Sequence, residues 1–198
     1  MAIYTGKQNI PCICVTNRTL CRDDFLTRLD HIAKKGVADA ILLREKDLTE
    51  REYLELAEKV LSICKTHNRR CILHTYYKAA KELGCREIHL PLPVLQEMWE
   101  QETEKWFTTV GTSVHSIKQA NLAMHLQADY MTAGHIFETD CKKGLPGRGL
   151  SFLRKVVRES EVPVYGIGGI SAANAEQVKE TGAAGVCIMS GFMLESMN

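Results

Sequence analysis

The chain has 198 residues, of which 45% are hydrophobic and 25% are charged, and this balance is ordinary for a globular domain. At roughly 100–200 residues per domain, this length predicts a single domain over residues 1–198. The 25 basic and 24 acidic residues give a formal net charge of +1, so no overall field favours nucleic acid or an anionic membrane. We therefore expect neither as a partner, and recognition of a charged ligand must be local.

The N-terminus and the cysteines exclude further classes. No apolar stretch of signal-peptide length opens the chain and no later run approaches a membrane span, which predicts a cytoplasmic protein. The eight cysteines include no C-x-x-C pair and several lie in apolar runs, so we expect reduced thiols with structural roles. Zinc-like spacing occurs only between Cys71 and His74, and we predict no metal and no cofactor.

Short β-rich runs alternate with longer amphipathic segments along the whole chain, which is the pattern of βα units around a parallel sheet. The predicted strands are 12–16, 40–44, 71–75, 87–90, 109–113, 130–133, 164–167 and 185–189. Eight such units predict a single-domain α/β fold, the (β/α)8 or TIM barrel. The short tail after Gly191 predicts a shortened last helix, and a homodimer is one way to cover the resulting gap.

Two helices carry start signals. Thr49 with Glu52, and Ser116 with Gln119, fit the S/T-x-x-E/Q capping box. The segment 49–65 has apolar residues at helical spacing and should pack outside the barrel.

The glycines favour a barrel over an open doubly wound sheet. The turn after the first strand lacks the Gly-rich sequence that is usual in the open fold. Gly168 and Gly169 instead follow the seventh strand, and Ser190 and Gly191 follow the eighth, where barrels commonly bind phosphate through backbone N–H groups. The alternative is that these glycines only form tight turns.

Charged side chains follow the second strand. A period of two places Arg44 and Lys46 on one face, where they would enter the mouth of the barrel. The alternative is a solvated edge with surface ion pairs.

The long segment 134–149 after the sixth strand is predicted to be a lid or binding loop. His135 opens this loop and is a candidate proton shuttle, although a loop histidine with a structural hydrogen bond is the alternative. His115 precedes the Ser116 cap and fits a structural role equally well. His74 ends the third strand and deserves consideration too.

Several of these motifs together resemble the thiamine phosphate synthase superfamily over nearly the full chain. They are L-R-E-K at 43–46, G-T-S-V-H-S at 111–116, G-I-G-G-I at 166–170 and I-M-S-G at 188–191. The segment 134–144, G-H-I-F-E-T-D-C-K-K-G, resembles the TenI-type thiazole tautomerase branch. Where the synthases carry aspartates that bind magnesium diphosphate, this chain has Lys78 and Val94, and the usual glutamine is Leu42.

The resemblance therefore implies an isomerase of thiamine biosynthesis that aromatises a carboxylated dihydrothiazole ethyl phosphate by proton transfer. It would use His135 as the catalytic acid/base. Its partner would be a thiazole phosphate whose phosphate binds at Gly168, Gly169, Ser190 and Gly191. The other expected substrate-binding residues are Arg44, Lys46, Ser113, His115, Thr139 and Lys142. The alternatives are a thiamine phosphate synthase, which is a transferase, and a non-catalytic regulator that binds thiazole phosphate.

Overall fold

Eight parallel strands close into a barrel in a computed structural model that describes residues 10–101 and 104–194. Neighbours in sequence are neighbours in the sheet, and the last strand pairs with the first. The strands are β1 (Cys12–Val15), β2 (Ala40–Leu43), β3 (Arg70–His74), β4 (Glu87–Pro91), β5 (Thr109–Val114), β6 (Tyr130–Gly134), β7 (Val164–Ile167) and β8 (Gly185–Ile188). The predicted (β/α)8 barrel is confirmed.

A helix follows each strand and covers the outside of the barrel. The helices are α1 (Phe25–Lys35), α2 (Glu50–Thr66), α3 (Tyr77–Glu82), α4 (Leu92–Glu100), α5 (Ile117–His125), α6 (Gly149–Glu159), α7 (Ala175–Lys179) and α8 (Ser190–Met193). No helix in the described ranges is long and apolar enough to cross a membrane. Residues 195–198 lie outside the described part of the chain, and the homodimer stays a prediction.

The two predicted capping signals differ in detail. At α2 the box is complete, because Thr49 Oγ1 accepts from Glu52 N at 3.3 Å and the Glu52 carboxylate accepts from Thr49 N at 2.8 Å. At α5, Ser116 Oγ accepts from Gln119 N at 3.2 Å, but Gln119 Oε1 accepts from His115 N at 2.6 Å. The second box thus reaches back one residue further than the pattern predicts.

Strand alternation divides the apolar side chains into two regions. The larger one lies between the strands and the helices, and the smaller one fills the barrel interior around Ile13, Leu42, Ile72 and Cys187. All seven cysteines whose side chains are described carry free thiols. The side chain of Cys141 lies outside that description.

Two tyrosines lie at the N-terminal end of the barrel. Tyr130 begins β6 and Tyr165 lies in β7, and their rings meet edge to face with centroids 5.7 Å apart. A Cβ at Gly111 would lie 2.1 Å from the Tyr130 ring, and one at Gly185 would lie 2.4 Å from the Tyr165 ring. Glycine at both positions makes room for the aromatic rings, so the interior below the C-terminal mouth is packed.

Candidate active site

The carboxyl ends of the strands surround a cavity of about 310 Å³. This volume is at the lower end of the range of about 300–1,000 Å³ that is usual for small-molecule sites. The structure brings all of the predicted site residues to the cavity wall except Gly191, which lies within α8. Those at the wall are Arg44, Lys46, Ser113, His115, His135, Thr139, Lys142, Gly168, Gly169 and Ser190.

The end of β2 directs two cations into the cavity. The alternation continues beyond the last strand residue, so Arg44 and Lys46 line the cavity while Glu45 between them is only 2% exposed. The Glu45 carboxylate accepts from Thr16 Oγ1 at 2.6 Å and from Arg18 N at 3.0 Å. The alternative interpretation was a solvated strand edge with surface ion pairs. The burial of Glu45 disagrees with that alternative.

Positive charge dominates the cavity wall. Burial, and then repulsion by Arg44 and Lys142, lowers the pKa of Lys46. These three side chains therefore act on one another even though they come from two different segments. Among the described residues that line the cavity there is no aspartate and no glutamate. Such a wall favours an anionic ligand.

Two histidines lie inside the barrel below this wall. His74 and His89 are paired in register on β3 and β4, and their rings stack with centroids 5.7 Å apart. Burial, followed by the positive charges of Arg44 and Lys46, lowers the pKa of His89 to about 3. Burial also lowers the pKa of His74 well below its usual range, and His89 and Arg44 add to this effect. Both rings are neutral near pH 7.

His89 connects the cavity to the barrel interior, and the sequence analysis missed it. Its Nε2 lies 2.9 Å from Ser113 Oγ and its Nδ1 lies 3.0 Å from the Tyr130 hydroxyl. Ser113 Oγ is also 3.0 Å from Thr132 Oγ1. Its inward position on β4, in register with His74, could have indicated this role once the strands were assigned.

The rim histidines bind backbone carbonyl groups. His135 Nε2 lies 3.2 Å from the Leu145 carbonyl oxygen, and His115 Nδ1 lies 2.7 Å from that of Gly134. The Arg148 guanidinium also donates to the Gly134 oxygen at 3.1 Å. These bonds tie the loop after β6 to the mouth of the barrel. His135 therefore makes a structural hydrogen bond, as the alternative to a proton shuttle predicted. It also lines the cavity, as a proton shuttle requires.

The glycine pair after β7 is required by close packing. Gly168 and Gly169 have φ values of +96° and +66°, a region that favours glycine. A Cβ at Gly168 would lie 2.3 Å from His135 Cβ, and one at Gly169 would lie 2.4 Å from the Glu138 carbonyl oxygen. The two glycines thus form a tight turn, as the alternative interpretation predicted. The same turn lines the cavity, where an anion can approach its backbone.

A family profile described as thiamine monophosphate synthase matches residues 12–192. The chain belongs to this family. A thiamine-phosphate synthase of Fusobacterium nucleatum is 30% identical over 182 residues, which cover 91% of this chain and 88% of the relative. A thiamine-phosphate synthase of Ruminiclostridium cellulolyticum is also 30% identical, over 90% of this chain and 85% of the relative.

A solved structure agrees with these sequence relatives. The thiamine phosphate pyrophosphorylase from Pyrococcus furiosus superposes with a TM-score of 0.79 and 25% identity, over 94% of this chain and 89% of that one. The predicted superfamily is therefore confirmed. The prediction of a tautomerase is wrong, because relatives at about 30% identity over most of the chain are named synthases.

The residues of this family member do not fit a divalent metal at the positions that the resemblance assigns to it. Lys78 is exposed in α3 and Val94 packs against the apolar core from α4, and neither lines the cavity. The described residues contain no group of three or more His, Cys, Asp or Glu side chains that could hold a metal ion. Among the described residues of the wall there is thus no carboxylate of the kind that commonly binds magnesium.

Proposed function

We propose that this chain is a transferase that forms thiamine phosphate from a phosphorylated thiazole and a pyrimidine that carries a diphosphate. The observation that carries the proposal is its relationship, at about 30% identity over nine tenths of the chain, to proteins named thiamine-phosphate synthase. The cationic cavity supports it, because both substrates are anions. This function replaces the isomerase that the sequence departures favoured.

The reaction transfers a pyrimidinylmethyl group. The bond between the methylene carbon and the diphosphate oxygen breaks, and the diphosphate leaves with the electron pair. The thiazole ring nitrogen supplies its lone pair to form the new carbon–nitrogen bond. Negative charge grows on the leaving diphosphate, so catalysis requires positive groups that are already in place.

The cavity wall carries two kinds of group that suit the two anionic groups. Arg44, Lys46 and Lys142 form a cationic side that suits the diphosphate. The turn at Gly168 and Gly169 suits the thiazole phosphate, as expected of the loop after the seventh barrel strand. The remaining proposed substrate contacts at the cavity wall are Ser113, His115, Thr139, His135 and Ser190.

An assay with both substrates tests the proposal. The purified chain is incubated with the thiazole phosphate and the pyrimidine diphosphate, with magnesium and with a chelator in parallel, and thiamine phosphate is measured by mass spectrometry. We expect product in proportion to protein, and none when either substrate is omitted. Binding of both compounds without product under any condition would instead indicate a non-catalytic sensor and reject the transferase.

A single substitution connects this assay to the cavity. Lys46→Gln removes one cation from the wall and should lower the rate of product formation by about 10-fold or more, because hydrogen bonds to charged groups are worth roughly 1.5–3 kcal/mol. Lys143→Gln is the matched control, since Lys143 is exposed and does not line the cavity. Equal rates for the two variants would place the reaction elsewhere.

A further inference from the structure

We infer that the cavity binds diphosphate without a divalent metal, because Arg44, Lys46 and Lys142 supply the positive charge that a metal would otherwise bring. The inference rests on the proposed function and specifies how the leaving group is held. It departs from the magnesium-dependent pattern that the family resemblance implies.

The first argument is the set of side chains at the wall. In the described residues around the cavity, the ionisable groups are cationic or imidazole, and no carboxylate is present. Glu45, between Arg44 and Lys46, is buried and bound to Thr16 Oγ1 and Arg18 N, and it does not line the cavity. Glu138 and Asp140, on either side of Thr139, do not line it either. Among the described side chains at this wall, a divalent cation would meet cations, imidazoles, an amide and hydroxyl groups, but no carboxylate.

The second argument is the arrangement of the cations. Arg44 and Lys46 are fixed by the end of β2, where Arg44 N donates to Thr16 Oγ1 at 2.9 Å. Lys142 reaches the same cavity from the one-turn 3-10 helix Asp140–Lys142 in the loop after β6. Burial, and then repulsion by Arg44 and Lys142, lowers the pKa of Lys46, and a bound polyanion would relieve that repulsion. The arrangement of these cations thus suits a ligand of high negative charge.

The third argument is the imidazole pair below the wall. His74 and His89 are buried and neutral near pH 7, so they add no charge to the cavity. The positive charge that faces a diphosphate then comes from Arg44, Lys46 and Lys142. A guanidinium and two ammonium groups can together donate several charge-assisted hydrogen bonds to diphosphate oxygens.

Calorimetric titration with inorganic pyrophosphate tests the inference. The full-length chain is dialysed against a chelator and titrated in its presence, and a second titration contains magnesium. We expect a dissociation constant that changes by less than about 3-fold between the two conditions. Binding that is lost in the chelator and restored by magnesium would overturn the inference.

Two variants identify the cations responsible. In the chelator, Lys46→Gln and Lys142→Gln should each weaken pyrophosphate binding by about 10-fold or more, as expected for a charge-assisted contact. Lys142 is exposed, so its loss leaves the barrel core intact. Lys143→Gln should leave the constant unchanged within about 2-fold. If all three variants bind pyrophosphate as the unmodified chain does, these cations are not its site.

The outcomes separate this inference from the proposed function. Pyrophosphate binding in the chelator with no thiamine phosphate formed under any condition would reject the transferase and keep the metal-free site. Product formation that requires magnesium, together with magnesium-dependent pyrophosphate binding, would keep the transferase and reject the metal-free site.

Discussion

His89 is the residue that most directly joins the packed interior to the cavity. Its two ring nitrogens face Ser113 Oγ and the Tyr130 hydroxyl, and both distances are within 3.0 Å. A neutral imidazole donates through one nitrogen and accepts through the other, so the two hydroxyl groups must take opposite roles. Protonation would disturb this arrangement and would add charge below Arg44 and Lys46.

The first prediction concerns the pH dependence that His89 imposes on stability. Its folded pKa of about 3 is below the unfolded value of 6.5, so its contribution is fully present above pH 6.5 and is lost as the pH falls toward 3. Between pH 7 and pH 5 this one group should remove about 2 kcal/mol from the free energy of unfolding. Urea denaturation at both pH values measures the loss.

The variant His89→Gln provides the comparison. It should be less stable than the unmodified chain at pH 7, because two buried hydrogen bonds are altered. The difference between the two proteins should shrink by about 2 kcal/mol at pH 5, since glutamine takes up no proton. Parallel pH profiles for the two proteins would show that His89 is not the group that titrates.

The second prediction concerns Gly168. Alanine there needs a positive φ, which costs about 1–2 kcal/mol, and its Cβ would also collide with His135. Gly168→Ala should therefore destabilise the fold and weaken phosphate binding by displacing the loop after β6. Gly84→Ala is the matched control, because Gly84 has φ +69° but nothing lies within 4 Å of its Cβ. Equal losses of stability and unchanged phosphate affinity in both variants would mean that the loop contact is unimportant.

Among the elements, the ends of β1 and β2 matter most for the site. Thr16 Oγ1 accepts from Arg44 N and donates to the Glu45 carboxylate, which also accepts from Arg18 N. The buried carboxylate thus fixes the segment from which Arg44 and Lys46 emerge. Burial raises the pKa of Glu45, and its hydrogen bonds with Thr16 and Arg18 oppose that rise.

The third prediction follows from this arrangement. Glu45→Gln should lower the free energy of unfolding by about 1–3 kcal/mol, because an amide cannot accept all of the hydrogen bonds that the carboxylate accepts. It should also weaken pyrophosphate binding, since the cations on either side lose their support. Thr49→Ala, which removes the cap of α2 and should cost about 1 kcal/mol, is the control with unchanged affinity. Loss of affinity in both variants would point to a general effect of instability.

Element boundaries could be predicted well because they depend on local sequence. Seven of the eight predicted strands begin at the residue where the structure begins them, and β3 begins one residue earlier. The capping box at the start of α2 was also predicted correctly from local sequence. Contacts across the barrel could not be predicted, because His89, Ser113 and Tyr130 come together only when β4, β5 and β6 are adjacent.

The error about function arose from the same limit. Lys78 and Val94 differ from the synthase pattern, but only the folded barrel shows that neither side chain lines the cavity. Their chemistry was therefore used to choose between an isomerase and a transferase. The described wall has cations and no carboxylate, and this composition argues against metal binding. The same composition suits the phosphorylated substrates of an isomerase and of a transferase equally.

At the scale of the whole molecule, the ligand should stabilise the barrel as a unit. The cavity wall draws residues from the ends of several strands and from the loop after β6, so a bound anion contacts segments distant in sequence. The fourth prediction is that pyrophosphate at 100 times its dissociation constant raises the free energy of unfolding by about 2.7 kcal/mol. Urea denaturation in a chelator measures this, and an unchanged midpoint would show that the anion does not bind the folded chain.

The packed interior below the cavity has a kinetic consequence. His89 and Tyr130 are buried beneath the cavity, and Gly111 leaves room for the Tyr130 ring. We therefore expect ligands to enter and leave the cavity through the mouth at the carboxyl ends of the strands. Under the proposed transferase function, we expect two substrates that enter by one opening to bind in a fixed order, and the product bound deeper to be released last. Steady-state inhibition by pyrophosphate should therefore be competitive toward one substrate and noncompetitive toward the other.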